Sequence, residues 1–368
     1  MTHNAGDEME LVHALLVFRH GDRSPITATV APNLAMDKTE RAFWISALAT
    51  DARRQYLNAA VKVVGDAPVK HGGVWPNGHL TERGAEDMAE KGRALRRRYA
   101  SLLTDFQPQD GHVYACSTNV RRTILSAQSL MSGLFPDNET TLQLHAKDPI
   151  LLTPVHRGDE WRVGFEMARA AALRSVPGFL AFEATVKTAL GLTSSGVNWT
   201  SLREVLDCRR AHDLPFPDGI TDELYEAIVK HSAWEWYTFY GHGHIGQRGF
   251  AHAMHEIHRL LHEGIAKAPH RRLTLVSAHD TTLVALLCAL ELDQSSGTVA
   301  PPYGSTLAFD VYQHKSTRAF HLAITWDDKP LRFPTQAMSD TLAPLALLDD
   351  TVKTFLNVYR REQFTSSM

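Results

Sequence analysis

The 368 residues carry 38 Lys and Arg against 41 Asp and Glu, a formal charge of −3, with 44% hydrophobic and 21% charged residues. That length and balance fit one large α/β domain carrying a smaller inserted one. They exclude long disorder and any bulk attraction to nucleic acid or an acidic membrane, so anion binding has to come from a local cluster. Only three cysteines occur, Cys116, Cys208 and Cys288. Their number and spacing fit neither a disulfide framework nor a CxxC metal clip and point to a reducing compartment.

The N-terminus, Met1–Glu10, is polar and acidic and lacks the basic start, apolar stretch and cleavage site of a signal peptide, so a cytoplasmic location is expected. Leu11–Phe18 is short, nearly all apolar and closed by Gly21 and Pro25, which predicts a buried parallel strand. Ser24–Ala49 reads as loop with some helix, and Ala52–Val64 and Thr81–Leu103 read as helices. In the second, Thr81 supplies a cap and Ala85, Met88, Ala89, Leu95, Tyr99 and Leu102 recur at helical spacing. Arg96–Arg98 near its end reads as a solvated face that complements the helix dipole. His112–Cys116 is a second predicted strand, with Ser117, Thr118 and Asn119 as cap residues for a helix over Val120–Leu134.

From Ala146 to about His244 no strand pattern is visible, and the stretch reads as a helical insertion with a loop at Pro215 and Pro217. Gly241, Gly243, Gly246 and Gly249 punctuate the chain before a helix over Phe250–Ala266. Leu273–Ala278 is a third predicted strand, leading into a helix over Thr282–Leu292. The apolar stretch Thr281–Leu292 is too short to span a bilayer and contains Glu291, so no integral membrane segment is expected. Ser305–Tyr312 and Arg318–Trp326 alternate as an antiparallel pair. The expected fold is α/β, a mainly parallel sheet with helices on both faces plus an inserted helical cap. Residues 8–145 and 246–368 would form the core and 146–245 the cap.

Three polar clusters fall at predicted strand ends: Arg19-His20-Gly21-Asp22-Arg23, Ser117–Thr123 with Arg122, and His279-Asp280. Ligands of open α/β sheets bind beyond the carboxyl ends of the strands, so the three converge on one site. Arginine's planar fork supplies the charge and donors that a phosphate dianion needs, here from Arg19, Arg23 and Arg122. His20 between two arginines is placed to attack phosphorus and form a phosphohistidine. Asp280, its neutral form favoured beside phosphate charge, is the candidate proton donor, and His279 a further phosphate donor.

Separately, a lone Arg-His-Gly occurs by chance and Asp280 could be a plain helix cap; it is the convergence that favours a site. His242, His244, His252, His255, His258 and His262 are joined by no carboxylate or cysteine at ligand spacing, and the helical four read as a solvated stripe rather than a metal site. Trp234, Trp236, Tyr237, Phe239 and Tyr240 read as core. Ser277 lacks a Gly-x-Ser-x-Gly setting, and neither a Walker lysine nor a dinucleotide fingerprint is present.

With these residues in view the chain resembles the histidine acid phosphatases, which pair an N-terminal RHGxRxP, here Arg19–Pro25, with a later His-Asp, here His279-Asp280. Trp75-Pro76-Asn77-Gly78-His79-Leu80-Thr81-Glu82-Arg83-Gly84, Ser117–Thr123 through Leu134-Phe135-Pro136, and Ala300-Pro301-Pro302-Tyr303 extend the resemblance through both halves of the core. The resemblance implies an α/β core with a helical cap, no metal or cofactor, and hydrolysis through a phosphohistidine. By that carry-over His20 is the nucleophile and Asp280 the proton donor. Arg19, Arg23, Arg122 and His279 bind phosphate.

The chain departs from the family pattern in having Asn119 and Arg121 where acids stand, a slightly shorter Trp75–Thr81 segment, and neither the secretory signal nor the disulfide set of many members. Arg121 would add positive charge at the pocket rim, and Arg122 is taken as the phosphate ligand because it precedes Thr123. The expected activity is that of a metal-independent acid phosphatase on small or lipid-like phosphate monoesters, with homodimerisation left open. Alternatives on the same scaffold are a phytase or inositol-polyphosphate phosphatase, a lysophosphatidic acid phosphatase and a phosphotransferase. A non-catalytic phospholigand-binding module is the rival from another class.

Overall fold

The computed structural model describes residues 8–365 apart from 66–68, 71, 105–110, 137–140, 157, 194–195, 242–244, 269, 293–298 and 338, with side chains described up to 359. The chain opens with strand β1 (Met9–Arg19), a two-stranded ribbon of β2 (Thr29–Ala31) and β3 (Leu34–Ala35), helices α1 (Lys38–Ala47) and α2 (Asp51–Ala60), and strand β4 (Val61–Val64). Helix α3 (Glu82–Arg98), β5 (Val113–Thr118), α4 (Arg121–Leu134) and β6 (Leu142–Lys147) follow. Four helices come next, α5 (Glu160–Ser175), α6 (Phe179–Leu190), α7 (Trp199–Ala211) and α8 (Asp222–Tyr240), and then α9 (Ile245–Ala266). Strand β7 (Leu273–Ala278), α10 (Asp280–Ala289), β8 (Thr306–His314), β9 (Phe320–Trp326), β10 (Lys329–Leu331), β11 (Ala343–Pro344) and α11 (Leu345–Thr365) complete the chain.

The main sheet runs β10-β9-β8-β1-β7-β5-β6-β4, with β11 also on β9. Strands β1, β7, β5, β6 and β4 are mutually parallel, and β8 joins β1 antiparallel. Strand β1 explains its own continuous apolar run. Leu15 and Val17 face a core built with α9, α10 and α11, whereas Ala14, Leu16 and Phe18 face one built with α3 and α4. A strand buried on both faces shows no polar alternation. Helices α5–α8 and the β2–β3 ribbon share a third core around Phe179, Trp199, Leu202 and Leu206. The α/β class, the parallel sheet with helices on both faces and the inserted helical layer are as expected from sequence.

Several local readings are corrected. The expected helix Ala52–Val64 ends at Ala60, because Val61–Val64 pairs parallel with β6 as the edge strand β4. Its β-branched valines fit a pleated surface better than a helix. Strand β6 itself straddles the expected start of the insertion at Ala146. Ser117 and Thr118 belong to β5 rather than to a cap, and Val120 enters α4 without a side-chain cap. Gly246 and Gly249 lie inside α9. A Cβ on Gly246 would come within 2.4 Å of the Phe239 carbonyl, and one on Gly249 within 2.6 Å of that of Val155. These glycines permit close packing instead of ending a helix. Gly243, like His242 and His244, lies outside the described residues.

Candidate active site

Adjacency of β5, β7 and β1 brings the three polar clusters together. Arg19 is in register with Ala278, and Ser117 with Ser277. The turn after β1 is held by its backbone: His20 N–H donates to Ala278 O (3.2 Å), Gly304 N–H donates to His20 O (3.1 Å), and Gly21 N–H donates to Ser126 Oγ (3.0 Å). Gly21 is required here, since a Cβ would lie 2.6 Å from Gly84 O at the start of α3. Asp22 does not point at the site's arginines. It accepts from Thr81 Oγ1 (2.5 Å) and pairs with His212 Nε2 (2.6 Å), tying the turn to α3 and to the end of α7.

His20 and His279 are both buried, with ring centroids 5.7 Å apart, yet their protons sit on opposite nitrogens. His20 Nδ1 lies 2.8 Å from Gly21 O. A carbonyl only accepts, so Nδ1 carries the proton and Nε2 keeps its lone pair. Burial, then the charges of Arg122, Arg23 and Arg19, push the His20 imidazole well below its ordinary value. It therefore stays neutral, with a free nucleophilic nitrogen, in acid.

In His279 it is Nδ1 that accepts, from Arg122 Nη2 (3.4 Å), because a guanidinium only donates. Its proton is on Nε2, beside Thr118 Oγ1 at 3.1 Å. Burial and the Arg122 charge push it down to about 3. In this arrangement His279 gives its N–H to Thr118. For His279 to offer a donor to phosphate, it has to gain a proton or adopt the tautomer that points its N–H at the anion.

Arg19, Arg23 and Arg122 are buried around these rings, as the sequence predicts. Arg19 donates from Nη1 to Pro301 O (2.6 Å), lies 4.2 Å over the Tyr303 ring and reaches Asp280 Oδ2 at 3.4 Å. Arg23 is paired with Glu204 and donates to Ser24 O (3.0 Å). Nε of all three, and Nη1 of Arg122, are buried donors without a partner among the described residues. Burial, then the charge of Arg23, lowers the Arg122 pKa, so its positive charge is unfavourable as it stands. Unsatisfied buried donors of one sign are what an incoming oxyanion relieves. Arg121 remains exposed, which assigns the inward role on this helix to Arg122.

Asp280 opens α10 and accepts its neighbour's N–H, Thr281 N, on Oδ1 (2.9 Å). Its Oδ2 receives Arg203 Nη2 at 2.9 Å. Burial raises its pKa, but Arg19, Arg203 and Arg23 outweigh that and hold it well below the usual carboxylate range. In the anion-free site Asp280 is thus an ionised carboxylate; the neutral form is the expectation for a site that holds phosphate.

Sequence reasoning missed Arg203 and Glu204, adjacent on α7. Both are buried, and they pair respectively with Asp280 and Arg23. Glu204 Oε1 also accepts Ile26 N–H (2.7 Å), and Cys208 one turn on reaches Tyr303 OH at 3.2 Å. No local signal marks them, since α7 also carries Asp207, Arg209 and Arg210.

The profile of a family described as "Histidine phosphatase superfamily (branch 2)" matches residues 10–164 and 194–325. The chain belongs to that superfamily. The two matched stretches hold every residue discussed above, and this histidine phosphatase is a phosphomonoesterase by family. Human testicular acid phosphatase is 26% identical over 83% of this chain and 68% of its own length. Human prostatic acid phosphatase is 26% identical over 83% and 75%, and bovine lysophosphatidic acid phosphatase type 6 is 24% identical over 94% and 84%. Among solved structures, the apo form of Hafnia alvei phytase superposes with a TM-score of 0.68 at 16% identity, covering 96% of this chain and 98% of that one. At that identity the likeness speaks for the fold.

Proposed function

We propose that this histidine phosphatase hydrolyses phosphate monoesters in acid through a phosphohistidine on His20, without a metal. The observation that carries the reading is the His20 tautomer: Nδ1 is committed to Gly21 O, which leaves Nε2 unprotonated among three buried arginines. Nε2 attacks phosphorus as the ester P–O bond breaks, and Arg19, Arg23 and Arg122 neutralise charge on the non-bridging oxygens. The leaving oxygen takes a proton from Asp280. Phosphate competes for Arg19, which now holds the Asp280 carboxylate, and adds negative charge beside it. Both changes raise the carboxyl towards its neutral form. Water then attacks the N–P bond with Asp280 taking its proton, and inorganic phosphate leaves with His20 restored.

The test is a pH series of p-nitrophenyl phosphate hydrolysis in EDTA with wild type and His20→Ala in parallel. Turnover in acid by the wild type, with a loss of about 10⁴–10⁶ in the variant, is expected. Comparable rates in both, or loss of wild-type activity in EDTA, would end the reading.

One observation favours a substrate with an apolar substituent. A cavity of about 670 Å³ lies beside Arg122, its wall mostly apolar with Leu48, Val63, Val74, Trp75, Leu80 and Leu125, and with Arg54, Arg121 and His79 among its polar residues. Such a wall suits an alkyl or acyl chain better than the polyanionic ring of an inositol polyphosphate. That agrees with similarity to a relative named for lysophosphatidic acid. Higher kcat/KM on a long-chain alkyl phosphate than on inositol hexakisphosphate, reduced selectively by Leu125→Asp, is the expected result. Preference for the inositol ester would reverse it.

A further inference from the structure

Helix α9 carries His258 and His262 one turn apart, so both rings leave the same face. Across from them stands Asp349 of α11. His258 Nε2 lies 2.8 Å and His262 Nε2 2.7 Å from the same oxygen, Asp349 Oδ1. The two rings are 4.5 Å apart between centroids. One ligand atom from each of the three residues can be chosen so that all lie within 4.8 Å of one another.

A carboxylate needs only one charged or hydrogen-bonding neighbour to be satisfied at a half-exposed position. Here two imidazoles converge on a single oxygen, and all three side chains are only partly covered, 23% exposed for His258 and 38% for the other two. Such convergence of two nitrogens and one oxygen, open on its outer side, matches three protein ligands of a tetrahedral zinc with water in the fourth place.

We propose that His258, His262 and Asp349 bind a borderline divalent cation, zinc before others, that clasps α11 to α9. Ligand atoms around a tetrahedral zinc stand about 3.3 Å apart, given bonds of about 2.0–2.1 Å. The carboxylate therefore has to retreat by about half an ångström from where it now sits, which a partly exposed Asp349 does by side-chain rotation. As the metal takes its place at each Nε2, the imidazole proton moves to Nδ1 by exchange with solvent and the ring stays neutral. Two imidazoles and one carboxylate disfavour calcium and magnesium, which require oxygen ligands and higher coordination.

The clasp lies where α11 is anchored. Leu348, Val352 and Phe355 are buried in the same core as Met254, Ile257 and Leu261 of α9, and Tyr359 OH donates to Gln247 Oε1 at 2.7 Å. A cation there would hold the C-terminal helix down and leave the phosphate site alone. It is separate from the metal-free chemistry proposed at His20, and either can fail without the other.

The experiment is zinc titration of the EDTA-stripped, desalted full chain by calorimetry and thermal melting, with p-nitrophenyl phosphate turnover as a fold control. Wild type should bind one zinc and melt at a higher temperature with it. Loss of an outer-shell partner already costs about 10–100-fold in metal affinity, so removing a ligand costs no less. His262→Ala and Asp349→Asn should weaken zinc at least that much and abolish the melting shift while turnover stays unchanged. Asp349→Asn keeps an oxygen acceptor, so it reports even if His262→Ala unfolds. His252→Ala, an exposed histidine of the same helix, and His20→Ala, which removes the buried histidine pair as a rival site, should bind as wild type does. Absence of binding, binding indifferent to both clasp variants, or binding lost with His20→Ala would overturn the proposal.

Discussion

The site has two halves of different origin, and they differ in how their charges are used. The strand-end half, from β1, β5 and β7, leaves donors unpaired: Nε of Arg19 and Arg23 and both Nε and Nη1 of Arg122. The half supplied by α7 is dominated by ion pairs, Arg203 with Asp280 and Glu204 with Arg23, although Arg203 Nε and Glu204 Oε2 are also buried without a hydrogen-bond partner among the described residues. Unpaired buried donors are unfavourable for the fold and favourable for an anion. The pairs from α7 hold neighbouring groups in place. The strand ends thus hold the donors that an anion would relieve, and the inserted helix sets the charge state in which they wait.

That contrast can be broken by mutation. Asp280→Asn keeps the shape but loses the proton, and should cost about 10²–10⁴ on alkyl phosphates, with a much smaller loss on nitrophenyl esters, whose leaving groups need no acid. Equal losses on both would remove Asp280 from the proton-donor role. Arg122→Ala should lower kcat by about 10²–10³ if its guanidinium meets charge that develops in the transition state. A change confined to KM would make it a ground-state binder.

On the α7 side, Arg203→Met should cost less than about tenfold in kcat on nitrophenyl phosphate, since it removes no group that meets the phosphate. Its signature is a pH profile. With one of its cations gone the Asp280 carboxyl rises, so the alkaline limb for alkyl phosphates should move to higher pH. A loss as large as that from Arg122→Ala, with no shift of the limb, would erase the distinction between the halves.

The smallest effect is on stability. Burial, the leading cause in each, pushes His13, His156 and His231 down to about 4 and His279 to about 3. Their folded pKa values lie below the unfolded value of about 6.5, so below that pH the unfolded chain binds protons that the native one refuses. Stability from these groups is complete above about pH 6.5 and is lost progressively as pH falls towards 4. Glu235, which burial raises to about 8, acts in the opposite sense and costs stability as pH climbs from about 4.5 to 8. Melting temperature should therefore fall between pH 6.5 and 4 in the absence of phosphate. A flat profile there would mean that these histidines are not buried neutral.

The same contrast governs what was legible. The strand-end half is written in short motifs, because a histidine flanked by arginines at the end of a buried strand needs specific residues within a few positions. Arg19, His20, Arg23, Arg122, His279 and Asp280 all come together as the sequence predicts. The edge strand β4 and its neighbour β6 were less visible, being short and covered differently from β1. Arg203 and Glu204 sit on an amphipathic helix where charged residues are ordinary, and nothing local marks them as turned inward.

The sequence by itself determined the family, the sheet's central strands and the residues that meet at the candidate site, because local pattern and motif spacing carry that information over a few residues each. Tertiary structure alone decided the protonation of those residues. Whether Nδ1 or Nε2 of an imidazole holds the proton, and whether Asp280 is charged, depends on Gly21 O, Arg122, Thr118 and Arg203. It alone also set Asp349 against two histidines some ninety residues away in the chain. Electrostatic and hydrogen-bonding partners act over a few ångströms of space, and the fold, not chain order, sets which groups share them.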